Sequence, residues 1–347
     1  MLNIYTTAEL VKLVRSLITS PCFLLDRFFG AIVEHETEEV IIDVIVGKRR
    51  IAPFCSPLVA GKVVEGLGYQ TKTFKPAYIK DKRVPNLLKP IKRQAGEALM
   101  GQLNPEQRRA VNLQIEMADQ IDMIKRRLEW MAASALATGT ITVNGEGFEK
   151  TVINFGRDPD LTVTLSGTSA WSINPSGDYT KPTQDIEEWA TLMLQKSGVV
   201  AQDIIFTPSA WKAFKKDKDI RDVAIVNPLM NSYPNSVDAG TNINVGGIYK
   251  GKWGQFNLWL YNDWFVDPDD DKEKPMLEDG MLLMSGPQLE GFCAFGSIID
   301  PKFNYGAMAY APKIWTQDDP AQEFMMMQSA PLVIPSRVNA SFAARVI

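Results

Sequence analysis

Between Asn104 and Gly139 lies the segment that most restricts what this chain can become. Val111, Ile115, Ala118, Ile121, Ile124, Leu128, Met131 and Ala135 recur at spacings of three and four. That spacing predicts one continuous apolar stripe along an α-helix. Asn104 suits an N-cap, Pro105 the first helical position, and Gly139 the left-handed residue that ends a helix. At 1.5 Å per residue the helix over 104–138 spans about 50 Å. This is long for an ordinary domain, so the rest of the fold has to be arranged along it. Arg108-Arg109 and Lys125-Arg126-Arg127 fall opposite the stripe and read as a solvated face.

The segments before the helix look less able to stand alone. Thr6 or Thr7 can cap a short helix carrying Leu10, Val11, Val14 and Leu17, stopped by Ser20-Pro21. Phe23-Leu24-Leu25 and Phe28-Phe29 follow, ending at Gly30. An N-terminal arm of this size rarely makes its own core, so these side chains have to rest on the main body or on a neighbouring subunit. Residues 40–46 read as a strand, Gly47-Lys48 as a turn, and 51–54 as a segment that can pair back. Residues 58–82 read as a long hairpin with Gly66 and Gly68 and little apolar density. A two-stranded ribbon is marginal alone in water, so it needs a partner surface.

After the helix, 140–143 and 162–165 read as strands, with Asn144-Gly145 as a hairpin turn. From 185 the pattern turns α/β. A helix over 185–196 is stopped by Ser197-Gly198, a buried strand covers 203–207, and Pro208-Ser209 opens a helix with Trp211 and Phe214. Further strands fall at 256–261 and 281–284, and 322–334 is a Met-rich extended tail. The expected class is α+β.

Composition narrows the chemistry. There is one histidine, His35, and there are three scattered cysteines, Cys22, Cys55 and Cys293. This disfavours His-rich metal sites, Ser-His or Cys-His catalysis, and a disulfide framework, and it suits reduced thiols in a cytoplasm. The run Asp267 to Asp271 invites a calcium reading, with Glu278 at the twelfth position. The sixth position, which must turn sharply and is normally Gly, is Lys272, so a solvated loop between two strands is the better reading. No phosphate loop, GxSxG or GxGxxG is present. A net charge of -4 argues against a general nucleic-acid surface. No run approaches the roughly 20 apolar residues of a spanning helix, and Glu9, Lys12 and Arg15 break any signal-peptide pattern. The expectation is a soluble chain made in the cytoplasm, with no catalytic residues, cofactor, metal or membrane, and a structural role rather than an enzymatic one.

A family resemblance sharpens this. The opening Ile4-Tyr5-Thr6-Thr7-Ala8-Glu9-Leu10, the arm Phe23-Leu24-Leu25-Asp26-Arg27-Phe28-Phe29, Ser56-Pro57-Leu58-Val59-Ala60-Gly61 and Phe74-Lys75-Pro76-Ala77-Tyr78-Ile79-Lys80 resemble the major head protein of lambda-like tailed phages. So do Ala132 to Leu136, Gly145-Glu146-Gly147-Phe148, Pro312-Lys313-Ile314-Trp315, Asp319 to Phe324 and Gln328 to Leu332. The resemblance implies the tailed-phage capsid fold. Its parts would be an N-terminal arm at 1–36, an extended loop with flanking strands at 37–95, a peripheral domain with the spine helix at 96–182, an axial domain at 183–295, and a return to the peripheral domain at 296–347. It implies self-assembly into hexamers and pentamers of an icosahedral head around double-stranded DNA, from a precursor shell that expands on packaging. Scaffold and portal proteins, and a decoration protein, are implied partners; the locations implied are the virion and, during assembly, the host bacterial cytoplasm. Phe28, Phe29, Lys62, Glu65, Tyr69, Lys75, Tyr78 and Lys80 are the candidate assembly residues. The rivals are a tail-tube protein, a compartment protein of the same fold, and an enzyme.

Overall fold

A computed structural model describes residues 7–17, 21–37, 39–46, 51–52, 54–58, 68–86, 104–145, 147–171, 182–217, 220, 243–244, 246–319 and 321–347. Helices α1 (Thr7–Ser16) and α2 (Phe23–Phe28) lead into strand β1 (Ala31–Glu34), then β2 (Val40–Val46), β3 (Gly68–Phe74) and β4 (Ile79–Arg83). The long helix α3 (Pro105–Thr138) runs into the hairpin β5 (Thr140–Gly145) and β6 (Phe148–Asn154), followed by β7 (Thr162–Thr164). Helix α4 (Pro182–Ser197), β8 (Asp203–Phe206), helix α5 (Pro208–Phe214), β9 (Ile243–Asn244), β10 (Gly247–Trp253) and β11 (Phe256–Tyr261) come next. The chain closes with β12 (Trp264–Val266), β13 (Glu273–Pro275), β14 (Met281–Ser285), β15 (Phe292–Phe295), β16 (Ala311–Gln317), β17 (Gln322–Ser329), β18 (Pro331–Ile334) and β19 (Phe342–Arg345).

Helix α3 begins and ends where its sequence signals place it. Asn104 Oδ1 accepts the Gln107 N–H at 2.7 Å, and Gln107 Oε1 accepts the Asn104 N–H at 3.0 Å, a reciprocal capping box. Gly139 turns the chain at φ 70°. The last carbonyls are then met by a buried guanidinium. Arg157 donates to Leu136 O at 2.5 Å, to Ala137 O at 2.6 Å and to Thr162 Oγ1 at 2.7 Å. No carboxylate pairs with it among the described ion pairs, and burial pushes its pKa down to about 10. A cation at the negative end of a helix is favourably placed.

The buried face of α3 is Leu113, Met117, Ile121, Ile124, Leu128, Met131, Ala132, Ala135 and Leu136. It departs from the expected stripe in the first turns, where Ile115 is 59% exposed. Leu113 and Ile115 lie about 200° apart around a helix axis, and both are apolar. Periodicity alone could not choose between them; the packing of β17, β18 and α1 along the helix did.

Around α3 stand three sheets. A seven-stranded mixed sheet runs in the order β7-β19-β14-β8-β11-β10-β9. Its strand β8 lies parallel to β11 and antiparallel to β14, and Ile204, Ile205 and Phe206 are buried on both faces. Helix α5 covers one face through Trp211 and Phe214 against Phe206, and Trp189 of α4 stacks on Phe342 of β19. Two three-stranded sheets, β16-β17-β4 and β1-β15-β18, also meet the spine, through β17 and β18. Most of the buried apolar side chains form one continuous core.

Two expected elements pair differently. The hairpin expected within 58–82 is instead a ribbon of β2 with β3, in register from Val40 opposite Phe74 to Val46 opposite Gly68. Ile79–Arg83 belongs elsewhere, as β4 beside β17. Ile51, Ala52 and Phe54 carry no strand, and the expected Gly47-Lys48 turn lies outside the described residues. The Met-rich tail divides at Ala330, with β17 in one sheet and β18 in another.

A Cβ on Gly139 would meet Arg157 Cβ at 2.8 Å, in a backbone conformation that L residues avoid. Gly139→Ala should therefore cost about 1–3 kcal/mol, read as a lowered melting temperature; an unchanged melting curve would contradict this packing.

Candidate assembly surfaces

Two polar clusters are among the contacts that hold the arm to its own subunit. The Glu129 carboxylate, buried on α3, accepts the Leu24 N–H at 2.9 Å, the Leu25 N–H at 2.8 Å and the Tyr261 hydroxyl at 2.8 Å. Beside it, Arg27 forms a bidentate pair with the buried Asp203, at 3.0 and 2.6 Å. Asn257 and Trp259 also donate to Asp203, and the Arg27 guanidinium lies 4.7 Å from the Trp259 ring centroid. Phe23 completes the contact against Trp259 and Tyr261, with ring centroids 5.0 and 5.9 Å apart.

This docking decides where two candidate residues go. Phe28 and Phe29 are buried in the chain's own core, with Phe29 only 1% exposed. Phe29 closes over Gly291 so tightly that a Cβ there would meet its ring at 2.4 Å. The expectation that they present a surface to another subunit is corrected: the arm finds its apolar partner within the same chain.

The other candidates lie on or near the ribbon. Lys62 and Glu65 fall outside the described residues. Tyr69 stands in β3 opposite Ile45. Lys75 is exposed where the ribbon leaves β3, at the rim of a groove of about 290 Å³ lined by Phe74, Pro76, Ala77, Val152 and Ile153. Tyr78 is half-buried; its hydroxyl donates to Gln328 Oε1 at 2.8 Å and accepts the Ile299 N–H at 3.2 Å, so it braces its own subunit. Burial raises its pKa. Lys80 is exposed, with its ammonium 5.0 Å from the Tyr78 ring. Lys75, Tyr78 and Lys80 are thus neighbours at the base of the ribbon.

Farther along the ribbon lie residues that the sequence reading passed over. Ile51, Phe54 and Leu58 are 93%, 105% and 95% exposed. These large apolar side chains, beyond a strand pair of about 20 Å, are covered by none of the described residues. Their sequence signal was weak: isolated apolar residues without helical or strand period.

The loop after β15 offers a second outward feature. Asn304 and Tyr305 both sit in the left-handed region, at φ 52° and 57°. The loop is pinned below them by Asp300, which accepts the Lys302 N–H at 2.9 Å and Gln328 Nε2 at 3.1 Å and also pairs with the Lys313 ammonium. Tyr305 and Ile299 are left exposed.

Elsewhere, the acidic run is a loop between β12 and β13, as expected, with Asp267 and Asp270 paired to Lys274 at 2.5 and 3.2 Å. Burial pushes the Cys22 and Cys293 thiols up to about 12, so they stay protonated at neutral pH. No helix of the described residues is long and apolar enough to cross a membrane.

The model of the family described as phage major capsid protein E matches residues 6–346. The chain belongs to that family. It is 31% identical over 339 residues to the major capsid protein of Escherichia phage lambda, covering 96% of each chain. It is 31% identical over 337 residues to that of Enterobacteria phage phi80, again covering 96% of each. Among solved structures, one described as a capsid protein of an E. coli CFT073 prophage has a TM-score of 0.76 at 22% identity and 99% coverage of both chains. The capsid of Ralstonia phage GP4 gives 0.54 at 14% identity, covering 95% of this chain and 91% of that one. A Synechococcus elongatus encapsulin gives 0.51 at 11% identity, covering 96% of this chain and 89% of that one. The encapsulin likeness shows that the fold alone does not separate a virus head from a compartment shell. The sequence relatives do, since they are phage head proteins. The capsid family is structural rather than enzymatic, and its members form the shell of the virion.

Tyr305→Gly should relieve the left-handed strain and stabilise the subunit by about 1 kcal/mol. A lowered melting temperature would mean that the exposed ring makes a stabilising contact within its own chain.

Proposed function

We propose that this capsid protein builds an icosahedral head from hexamers and pentamers around double-stranded DNA, and that the ribbon is its main grip on the neighbouring copy. The observation that carries the reading is the solvated trio Ile51, Phe54 and Leu58 on the ribbon. Burying three such side chains contributes roughly 5–8 kcal/mol before ordering costs. Repeated around a ring, contacts of this size close a particle that no single contact could hold. Head-to-tail contacts between unlike patches generate such rings.

Lys62, Glu65, Tyr69, Lys75 and Lys80 belong to the same contact on this reading, with Tyr78 holding the ribbon base in place. Tyr305 supplies a second contact. The domain division proposed is an arm at 1–36, an extended loop with flanking strands at 37–95, a peripheral domain at 96–182 and 296–347, and an axial domain at 183–295. The strands β7 and β19, both within the seven-stranded sheet, tie the peripheral and axial parts together. Assembly takes place in the host bacterial cytoplasm with scaffold and portal proteins. A smaller precursor shell expands on packaging by rotation of these parts, and a decoration protein binds outside. The net charge of -4 repels packaged DNA weakly, so the genome is held in without being glued to the wall.

The triple variant Ile51→Ser, Phe54→Ser, Leu58→Ser should keep the wild-type circular dichroism spectrum and melting temperature. It should leave dispersed small oligomers where the wild type gives closed shells in electron micrographs. Closed shells from a folded triple variant would end the ribbon reading.

A further inference from the structure

Glu129 is the one charged side chain among the buried residues of α3. It is fully buried, and among the described ion pairs no cation meets it. Its partners are backbone N–H groups from the first turn of α2 and the Tyr261 hydroxyl. Three chain segments that meet nowhere in sequence are joined at this one carboxylate: the arm, the spine and the end of β11. We propose that Glu129 is a latch, whose proton decides how firmly the arm helix α2 is docked on the subunit. The proposal stands whether or not the ribbon is the intersubunit grip, because it concerns the arm within a single chain.

The groups around the carboxylate define the sign. From the arm come Cys22, Asp26 and Arg27; from the spine, Lys125 one turn earlier; from the strand end, Tyr261 and Asp263. Burial holds the Cys22 thiol and the Tyr261 hydroxyl protonated well above neutrality. Arg27 is occupied by Asp203. Burial is also the largest influence on Glu129. It outweighs the hydrogen bonds from Leu24, Leu25 and Tyr261, Asp263 adds to it, and the carboxyl is pushed from 4.5 up to about 7.

Undocking α2 lets water reach Glu129 and returns it toward its ordinary value. Between 4.5 and about 7 the docked state therefore binds more protons than the undocked state. Docking must weaken as pH rises through that window and level off above it. Acid fastens the latch, and mild alkali loosens it. The Arg27–Asp203 pair is a separate tie that does not involve Glu129, so the arm loosens without being lost.

Hydrogen exchange on the full chain, followed by mass spectrometry, reads this directly. The peptide over 22–29 is compared with a control over 281–285, in the middle of the seven-stranded sheet, with intrinsic rates corrected for pH. Protection of the arm peptide should fall roughly tenfold or more between pH 5 and pH 7 and then flatten, while the control stays constant. Glu129→Gln should remove the slope. Where that variant fails to fold, Tyr261→Phe keeps the ring packing and removes one donor to the carboxylate. It should move the flattening point to higher pH by half a unit or more. An arm peptide whose protection is independent of pH in the wild type overturns the latch. So does a Glu129→Gln protein that keeps the wild-type slope, or a Tyr261→Phe profile that does not move.

Discussion

A helix of 34 residues cannot satisfy itself, and the rest of the subunit is organised by that fact. Its first N–H groups and last carbonyls have no partner within the helix, and its apolar face is too long for any one element to cover. The capping box at Asn104 closes one end, and the Arg157 guanidinium closes the other. Along the flank, α1, α2, β5, β17, β18 and β19 each cover part of the face. These elements come from both ends of the chain, so the spine is also what brings the termini of the sequence together.

The same helix carries the arm. Packing a short, aromatic segment against a spine is ordinary hydrophobic burial, but the register of α2 is set by polar contacts. Glu129 takes two of its N–H groups, and Asp203 takes Arg27. A buried carboxylate with three donors is stable only while all three are present. These contacts fix one register for the arm. The ribbon is the opposite case. Among the described residues it meets the body at its base, near Val40, Phe74 and Tyr78, while Ile51, Phe54 and Leu58 face water. One segment finds its partners within its own chain, and the other carries apolar side chains in water.

Much of this was legible in the residues. Asn104, Pro105 and Gly139 placed the helix ends, and the strands at 203–206, 256–261 and 281–285 fell where short apolar runs announced them. The misreadings have specific causes. Ile115 was taken into the stripe because a helix with apolar residues on two sides has no unique face until neighbours choose one. Glu129 was invisible as a site because a single charge beside Leu128 reads as a solvated interruption. Its position among Ile121, Ile124 and Ala132, on the buried side, was the available sign. The ribbon was assigned to the wrong partner strand because β-pairing across more than 20 residues leaves no local trace in sequence. Phe28 and Phe29 need a surface by their size and apolarity, but nothing local in the sequence says that the surface is in their own chain and not in a neighbour.

The residues by themselves determined the local elements, the α+β class, the absence of the familiar catalytic motifs and the family to which the chain belongs. These follow from periodicity, capping chemistry and the order of short motifs, all of which act over a few residues at a time. Only the tertiary structure decided which face of the spine is buried, which strands form the ribbon, and which apolar side chains remain uncovered. Those outcomes depend on distant segments competing for the same surface, and the free energy of burial carries no record of where in the sequence the covering atoms come from.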